Sequence, residues 1–178
     1  FHWQDHDEIA AFVADIGFGM LFAGTPDGPR VVHIPAVIRD GILRFHVSRG
    51  NAITRHLGGR DALFVVNGPD AYISPDWYAQ TGYTDVPTWN YLAVELEGPV
   101  RALPAEALPA LLDEVVATFE VGGDGKAPWT VARSEPGYLA RLMRGIAGFE
   151  MDIRAWRGTA KLSQDKAPEM RQSVIDNL

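Results

Sequence analysis

The chain has 178 residues, 47% hydrophobic and 22% charged, enough apolar material for one domain, 1–178, with a full core. It has no cysteine, which excludes disulfides and thiolate metal sites, and its formal net charge of -7 disfavours direct DNA binding. No apolar run approaches the ~20 residues of a membrane helix, and the polar opening Phe1-His2-Trp3-Gln4-Asp5 shows no signal peptide, so a cytoplasmic location is expected.

Asp5-His6-Asp7-Glu8 has the form of a capping box, and Ile9, Phe12, Val13 and Ile16 follow at helical spacing. A helix is predicted over 6–16, ended by Gly17 and Gly19. Met20 to Ala23 reads as a short strand before the turn Thr25-Pro26-Asp27-Gly28. Arg30–Ile38 and Leu43–Ser48 form a hairpin around Asp40-Gly41. Its register sets Val47 against Ile34, Phe45 against Ala36 and Leu43 against Ile38, an apolar face suited to the core. On the other face His46 is expected to meet Pro35, and Ser48 to meet His33. That face reads either as a binding surface or as a solvated face. Pro35 removes a ladder donor, so its strand is expected at an edge or locally irregular.

Ser48 and Asn51 are good helix caps, Gly50 allows a tight turn, and a short helix is predicted over 52–58. Unpaired amides at such a start, beside the planar fork of Arg49, would seat an anion. The same features also occur at helix starts that bind nothing. Asp61–Asn67 reads as a central strand, Gly68-Pro69-Asp70 as a turn, and Ala71–Ser74 as another strand. Ser74 and Pro75 open a single helical turn, and 79–86 is a polar loop. Thr88–Arg101 is the longest strand, broken or bulged at Gly98-Pro99.

Leu108, Leu111, Leu112, Val115, Val116 and Phe119 mark an amphipathic helix, and 122–125 a loop. Tyr138, Leu139, Leu142, Met143 and Ile146 suggest a further helix. A final strand is expected over 149–156, a loop over 158–164, and a C-terminal helix through Met170, Val174 and Leu178. Hairpins rather than helical crossovers join successive strands, which points to an antiparallel barrel or sandwich of the α+β type.

Five segments together resemble the PaiB family of FMN-binding proteins, within the flavin-binding split barrels. They are His33-Ile34-Pro35, His46-Val47-Ser48-Arg49-Gly50-Asn51, Tyr72-Ile73-Ser74-Pro75-Asp76-Trp77-Tyr78, Val86-Pro87-Thr88-Trp89-Asn90-Tyr91 and Lys161-Leu162-Ser163-Gln164. The resemblance implies a mainly β, six-stranded antiparallel split barrel with peripheral helices. It also implies a homodimer with FMN at the interface, and a role as a negative transcriptional regulator. Ala36 follows His-Ile-Pro where the family tends to have Phe, and Ser48-Arg49-Gly50-Asn51-Ala52 stands where it tends to have Ala-Arg-Ala-Asn-Pro. These departures leave the phosphate groups in place and alter the shape of the flavin pocket.

Under this resemblance Ser48, Arg49 and Asn51 hold the FMN phosphate, and His33, Ile34, Pro35, His46 and Val47 line the flavin. Lys161, Ser163 and Gln164 contribute to the phosphate or the flavin edge, while Thr88, Trp89 and Asn90 reach in from the neighbouring subunit. Two further readings stay open. One is an FMN-dependent oxidoreductase acting on a small molecule; the other is a haem-handling relative using His33 or His46. No metal site is assigned, since His2 and His6 at a chain end make a poor pair.

Overall fold

The structure, a computed structural model, describes residues 1–79, 82, 85–120 and 126–178. The loop expected at 122–125 and most of that at 79–86 lie outside the described residues. The strands are β1 (His2–Trp3), β2 (Phe18–Thr25), β3 (Gly28–Arg39), β4 (Ile42–Ser48), β5 (Arg60–Ile73), β6 (Thr88–Ala102), β7 (Ile146–Asp152) and β8 (Ala155–Lys161). The helices are α1 (His6–Ile16), α2 (Thr54–Leu57), α3 (Asp76–Ala79), α4 (Leu108–Phe119), α5 (Pro136–Met143) and α6 (Pro168–Asn177).

Six antiparallel strands form a ring in the order β6–β5–β2–β3–β4–β7, and a short β6–β7 pairing, Val100–Ala102 against Phe149–Met151, returns it to β6. This is the expected split barrel. Strand β8 pairs with the other half of β6, Tyr91–Glu97, and β1 lies beyond it. Inside sit Leu21, Leu43, Phe45, Phe64, Leu96 and Met151, all fully buried. Helices α1 and α2 add Ile9, Val13 and Leu57 to the same core. Each such side chain stabilises the fold by about 1.5–3 kcal/mol relative to exposure.

Helix α1 starts and stops as the sequence predicts. The Asp5 carboxylate accepts from the Asp7 and Glu8 amides, and Gly17 closes the helix at φ 59° with its N–H on the Val13 carbonyl. Glu8 does not complete the capping box, because its carboxylate accepts instead from Trp3 Nε1 at 2.9 Å.

Four strand expectations need correction. The β3–β4 hairpin has the expected register but its ladder ends at Ala36–Phe45. Pro35 has no N–H and the Ala36 amide bonds Gly17 O at 2.9 Å, so past Phe45 the strand β4 keeps only the β7 ladder that runs along its other edge from Ile42 to Ser48. The expected Val47–Ile34, Pro35–His46 and His33–Ser48 pairs are therefore not formed. Strand β3 lies between β2 and β4, so Pro35 marks an irregularity and not an edge.

Second, β5 is one strand. Gly68-Pro69 makes a bulge, with the register shifting between Asn67 and Asp70. One extra residue moves the inward side of β5 from Phe64 and Val66 to Ala71 and Ile73, while β6 keeps Asn90, Val94 and Leu96 inward throughout. Third, Gly98-Pro99 neither breaks nor bulges β6, whose pairing with β5 runs straight through Ala62–Gly98 and Asp61–Pro99. Gly98 is there because a Cβ would lie 1.8 Å from the Asp152 carbonyl oxygen.

Fourth, the strand expected over 149–156 is two strands meeting at a tight corner. Ile153 and Arg154 turn there, their amides bonding Gly41 O at 3.0 Å and Glu97 O at 2.8 Å. Ile146 begins β7 and does not extend the preceding helix, and the loop expected from Gly158 is strand as far as Lys161. Helix α6 packs Met170 and Val174 on Ile73 and Tyr78.

Candidate functional site

The structure gathers the predicted site residues into two groups. The first lies on β3, β4 and the loop after it. Ile34 and Val47 are each 2% exposed and point into the barrel core, so a ligand can meet them only at the backbone. His33 is exposed and stacks with Phe18, ring centroids 6.5 Å apart. His46 lies opposite Gly148, where a Cβ would touch Leu103, Leu108 and Leu111 within 3.2–3.4 Å. Paired residues share a sheet face, so His46 is on the side covered by α4 and the turn before it. It is half-buried, its Nδ1 has no partner among the described residues, and burial pushes its imidazole below the ordinary range. The neutral ring is favoured there.

The loop itself corrects the expectation of an amide cradle. Gly50 N donates to Ser48 Oγ at 3.3 Å, Asn51 N to Ser48 O at 3.0 Å, Ile53 N to Asn51 Oδ1 at 3.1 Å, and Thr54 N to Asn51 O at 3.1 Å. Arg49 N donates to Gly145 O at 2.8 Å. These amides already have partners because Ser48 and Asn51 stabilise the turn and not a helix start; the N-cap of the four-residue α2 is Ile53.

What the loop keeps is a set of side-chain donors. Ser48 Oγ accepts from Gly50 and still carries its own proton, Asn51 Nδ2 is uncommitted, and no hydrogen bond or ion pair holds the exposed Arg49 guanidinium among the described residues. Arg44, five residues earlier, is the opposite case. It bonds Glu150 Oε1 at 2.7 Å and approaches Glu114 at 3.5 Å, and the Glu150 hydrogen bond holds its guanidinium above the ordinary range.

The second group lies where β6 begins and β8 ends. Asn90 and Ser163 are 8% and 5% exposed. Asn90 Nδ2 lies 3.0 Å from Ser163 Oγ, whose proton is directed to Asn90 Oδ1 at 3.1 Å. Lys161 Nζ donates to Thr88 Oγ1. Gln164 serves its own turn, accepting from Leu162 N at 2.7 Å and donating to Ala160 O at 2.5 Å, while Ser163 sits at φ 59°. Trp89 is 53% exposed and meets Tyr72 edge-on at 6.0 Å. A cleft of about 590 Å³ opens over Asn90 and Ser163, walled by Arg171, Gln172 and Ile175 of α6.

Within one chain the groups stand apart. From His33 the ladder runs through Met20 and Val65 to Glu95, and Asn90 is five residues further along β6. Between them the outer sheet face is apolar and half open, with Phe22 paired to both Val31 and Leu63, and with Phe18 and Val31 51% and 44% exposed. Sequence reasoning did not single out Phe18, and it carried Tyr72 only as the first residue of the Tyr72–Tyr78 motif, without a role. The only signal was the strand pairing that sets them against Pro35 and Trp89.

Residues 1–155 match the family model described as "Putative FMN-binding domain". The chain belongs to this FMN-binding family, the one its motifs resemble. One relative is "Protease synthase and sporulation protein PAI 2" of Bacillus subtilis (strain 168). It is 29% identical over 177 residues, covering 97% of this chain and 83% of the relative. Two solved structures share the fold at low identity. The FAD and haem binding protein from Mycobacterium smegmatis has a TM-score of 0.69 at 16% identity, covering 97% of this chain and 79% of its own. The flavocytochrome Anf3 from Azotobacter vinelandii has a TM-score of 0.68 at 15% identity, covering 90% and 69%. FMN is thus the cofactor of this PaiB-family fold, and the donors left on the Ser48–Asn51 loop suit its compact phosphate dianion. Among the described residues no helix is long and apolar enough to cross a membrane.

Proposed function

We propose that the chain acts in the cytoplasm as a homodimeric FMN-binding regulator of the PaiB type, a negative transcriptional regulator whose flavin lies between two copies. The phosphate is held by Ser48, Arg49 and Asn51, and the ring lies along His33–Pro35 with the His46–Val47 backbone behind. Lys161, Thr88, Trp89, Asn90, Ser163 and Gln164 come from the second copy. The observation carrying this reading is the loop whose amides at Arg49, Gly50, Asn51, Ile53 and Thr54 are already bonded while the Arg49 guanidinium, the Ser48 hydroxyl and the Asn51 amide stay available. The separation of the two groups, and the half-open apolar face between them, supports a partner copy. Bound FMN supplies hydride or electron transfer; the protein's own residues bind and orient it.

The test is to denature the purified protein and identify released flavin by absorbance and chromatography. A colourless preparation that takes up no added FMN overturns the reading. Regulation is tested by gel-shift with the native upstream region. The chain's acidic charge leads us to expect no shift without a partner, even at low salt. An FMN-dependent oxidoreductase is the second reading, favoured by the exposed His33–Phe18 pair beside the open apolar face. Bleaching of bound flavin by a nicotinamide reductant, followed by reoxidation with a small acceptor, would support it. The neighbours' names make haem a third candidate through His33 or His46, which a Soret band would reveal.

A further inference from the structure

The sequence carries two acid-free stretches of opposite character to its net charge of -7. Between Gly41 and Arg60 stand Arg44, Arg49, Arg55 and Arg60 without one Asp or Glu, and between Pro136 and Phe149 stand Arg141 and Arg144, again without one. The fold brings these stretches side by side. Ser48 pairs with Ile146, and the next step along both strands is the 2.8 Å hydrogen bond from Arg49 N to Gly145 O. Arg144 is therefore the residue beside the partner of the phosphate loop.

Arg141 and Arg144 are exposed, and neither has an ion pair among the described residues. Arg141 rests over the Tyr138 ring at 5.1 Å, which holds its stem and leaves the fork's edge open. The carboxylate at the other end of α5, Glu135, is engaged in capping Gly137 and Tyr138. Arg44 shares Glu150 and Glu114 with Arg101 and Arg39, so among the described residues the cations of these two stretches without a carboxylate partner are Arg49, Arg55, Arg60, Arg141 and Arg144, and of these Arg141 and Arg144 lie on the segment that leads into Gly145. The Arg49 fork can by itself pair with one phosphate, which leaves those of Arg141 and Arg144 available to a second.

We propose that the phosphate loop continues into a second anion seat, formed by Arg141 and Arg144, which takes the adenylate phosphate of a flavin dinucleotide. This rests on the reading that the flavin phosphate lies at Ser48–Asn51. In FAD the second phosphate is joined to the first through one bridging oxygen, so it must fall on a residue adjacent to the first seat. The chain then accepts FAD as well as FMN, and the adenosine lies outside the barrel along α5.

The test is calorimetric titration of the apo-protein with FMN and with FAD, for the wild type and for Arg141→Gln/Arg144→Gln. The wild type is expected to bind both flavins. The double variant is expected to lose about tenfold or more in FAD affinity, as for lost charge-assisted hydrogen bonds, with FMN affinity changed less than about twofold. Arg141→Lys/Arg144→Lys should recover part of the FAD affinity, and an unchanged melting temperature will show that the fold is intact. A wild type that binds FMN but not FAD overturns the proposal and leaves the phosphate loop standing, as do equal losses for both flavins. A wild type that binds neither overturns the flavin reading itself.

Discussion

The two groups of candidate residues differ in what their polar atoms are doing. At Ser48–Asn51 the backbone is satisfied locally and side-chain donors are left over. At Asn90–Ser163 the side chains satisfy each other and are nearly buried at the floor of a cleft. A buried amide and hydroxyl in mutual contact hold a shape; exposed cations and donors without partners hold a ligand. The contrast teaches that residues of one motif set need not do one kind of work. In the second group the Asn90–Ser163 pair acts as a frame that ties the start of β6 to the turn after β8, and the proposed dimer would use Trp89 and Lys161 beside it.

The sharpest way to break this comparison is Arg49→Ala. It should weaken FMN by on the order of 100-fold, since a charged group's hydrogen bonds are each worth about 1.5–3 kcal/mol. Riboflavin, which lacks the phosphate, should bind almost as before. Equal losses in a fluorescence titration would assign Arg49 another task. Next comes Asn90→Ala, which strands the buried Ser163 hydroxyl. The apo-protein should lose about 1–3 kcal/mol in urea unfolding, and a variant as stable as the wild type would show that the pair is no frame.

A smaller effect is expected from His46. Its folded-state pKa lies below its unfolded value, so its contribution is complete above the unfolded pKa and declines as pH falls through that value toward the folded one. Melting temperature should therefore fall more between pH 7.5 and 5.5 in the wild type than in His46→Gln; parallel curves would count against it. Least of all should come Arg157→Ala. Arg157 bonds Glu95 at 2.9 Å and Glu97 at 2.5 Å, but all three side chains are about half exposed. The melting temperature should move by about 2 °C or less, and a larger drop would mean the outer face is buried in an assembly.

Local signals in the sequence were dependable where local bonds decide the structure. Asp5 and Gly17 set α1, and Asp40-Gly41 set the hairpin register. The misreadings came where a distant strand decides. Phe149, Met151, Ile153 and Ala155 alternate without a break, yet the chain turns at Ile153 because Gly41 and Glu97 accept its amide and the next one. Gly68-Pro69-Asp70 has turn chemistry, but β6 runs alongside and converts it to a bulge. In the site, Arg49 and its neighbours were legible as a possible anion seat. That Ser48 and Asn51 would take up the loop's own amides was not, since it depends on how 48–54 fold back. The family motifs name both Asn90 and Ser163 but set Asn90 on the neighbouring subunit, so their meeting within one chain was not legible. The bond from Arg49 N to Gly145 O, which sets Arg144 next to the Ser48–Asn51 loop, carried no sequence signal, because each arginine alone is an ordinary surface residue.

The bulge at Gly68-Pro69 fixes something besides shape. Because it inserts a single residue, it decides which side of β5 faces inward from Asp70 onward, and so keeps Tyr72 beside Trp89 and Ile73 under α6. Losing either bulge residue would turn that end of the strand over, sending Tyr72 inward and Ile73 into solvent, with no change in the composition of the rest. Side chains here can therefore be exchanged over evolutionary time more readily than the residue count, and alignments of descendants of this chain should show varied letters but no gap between Asn67 and Asp70.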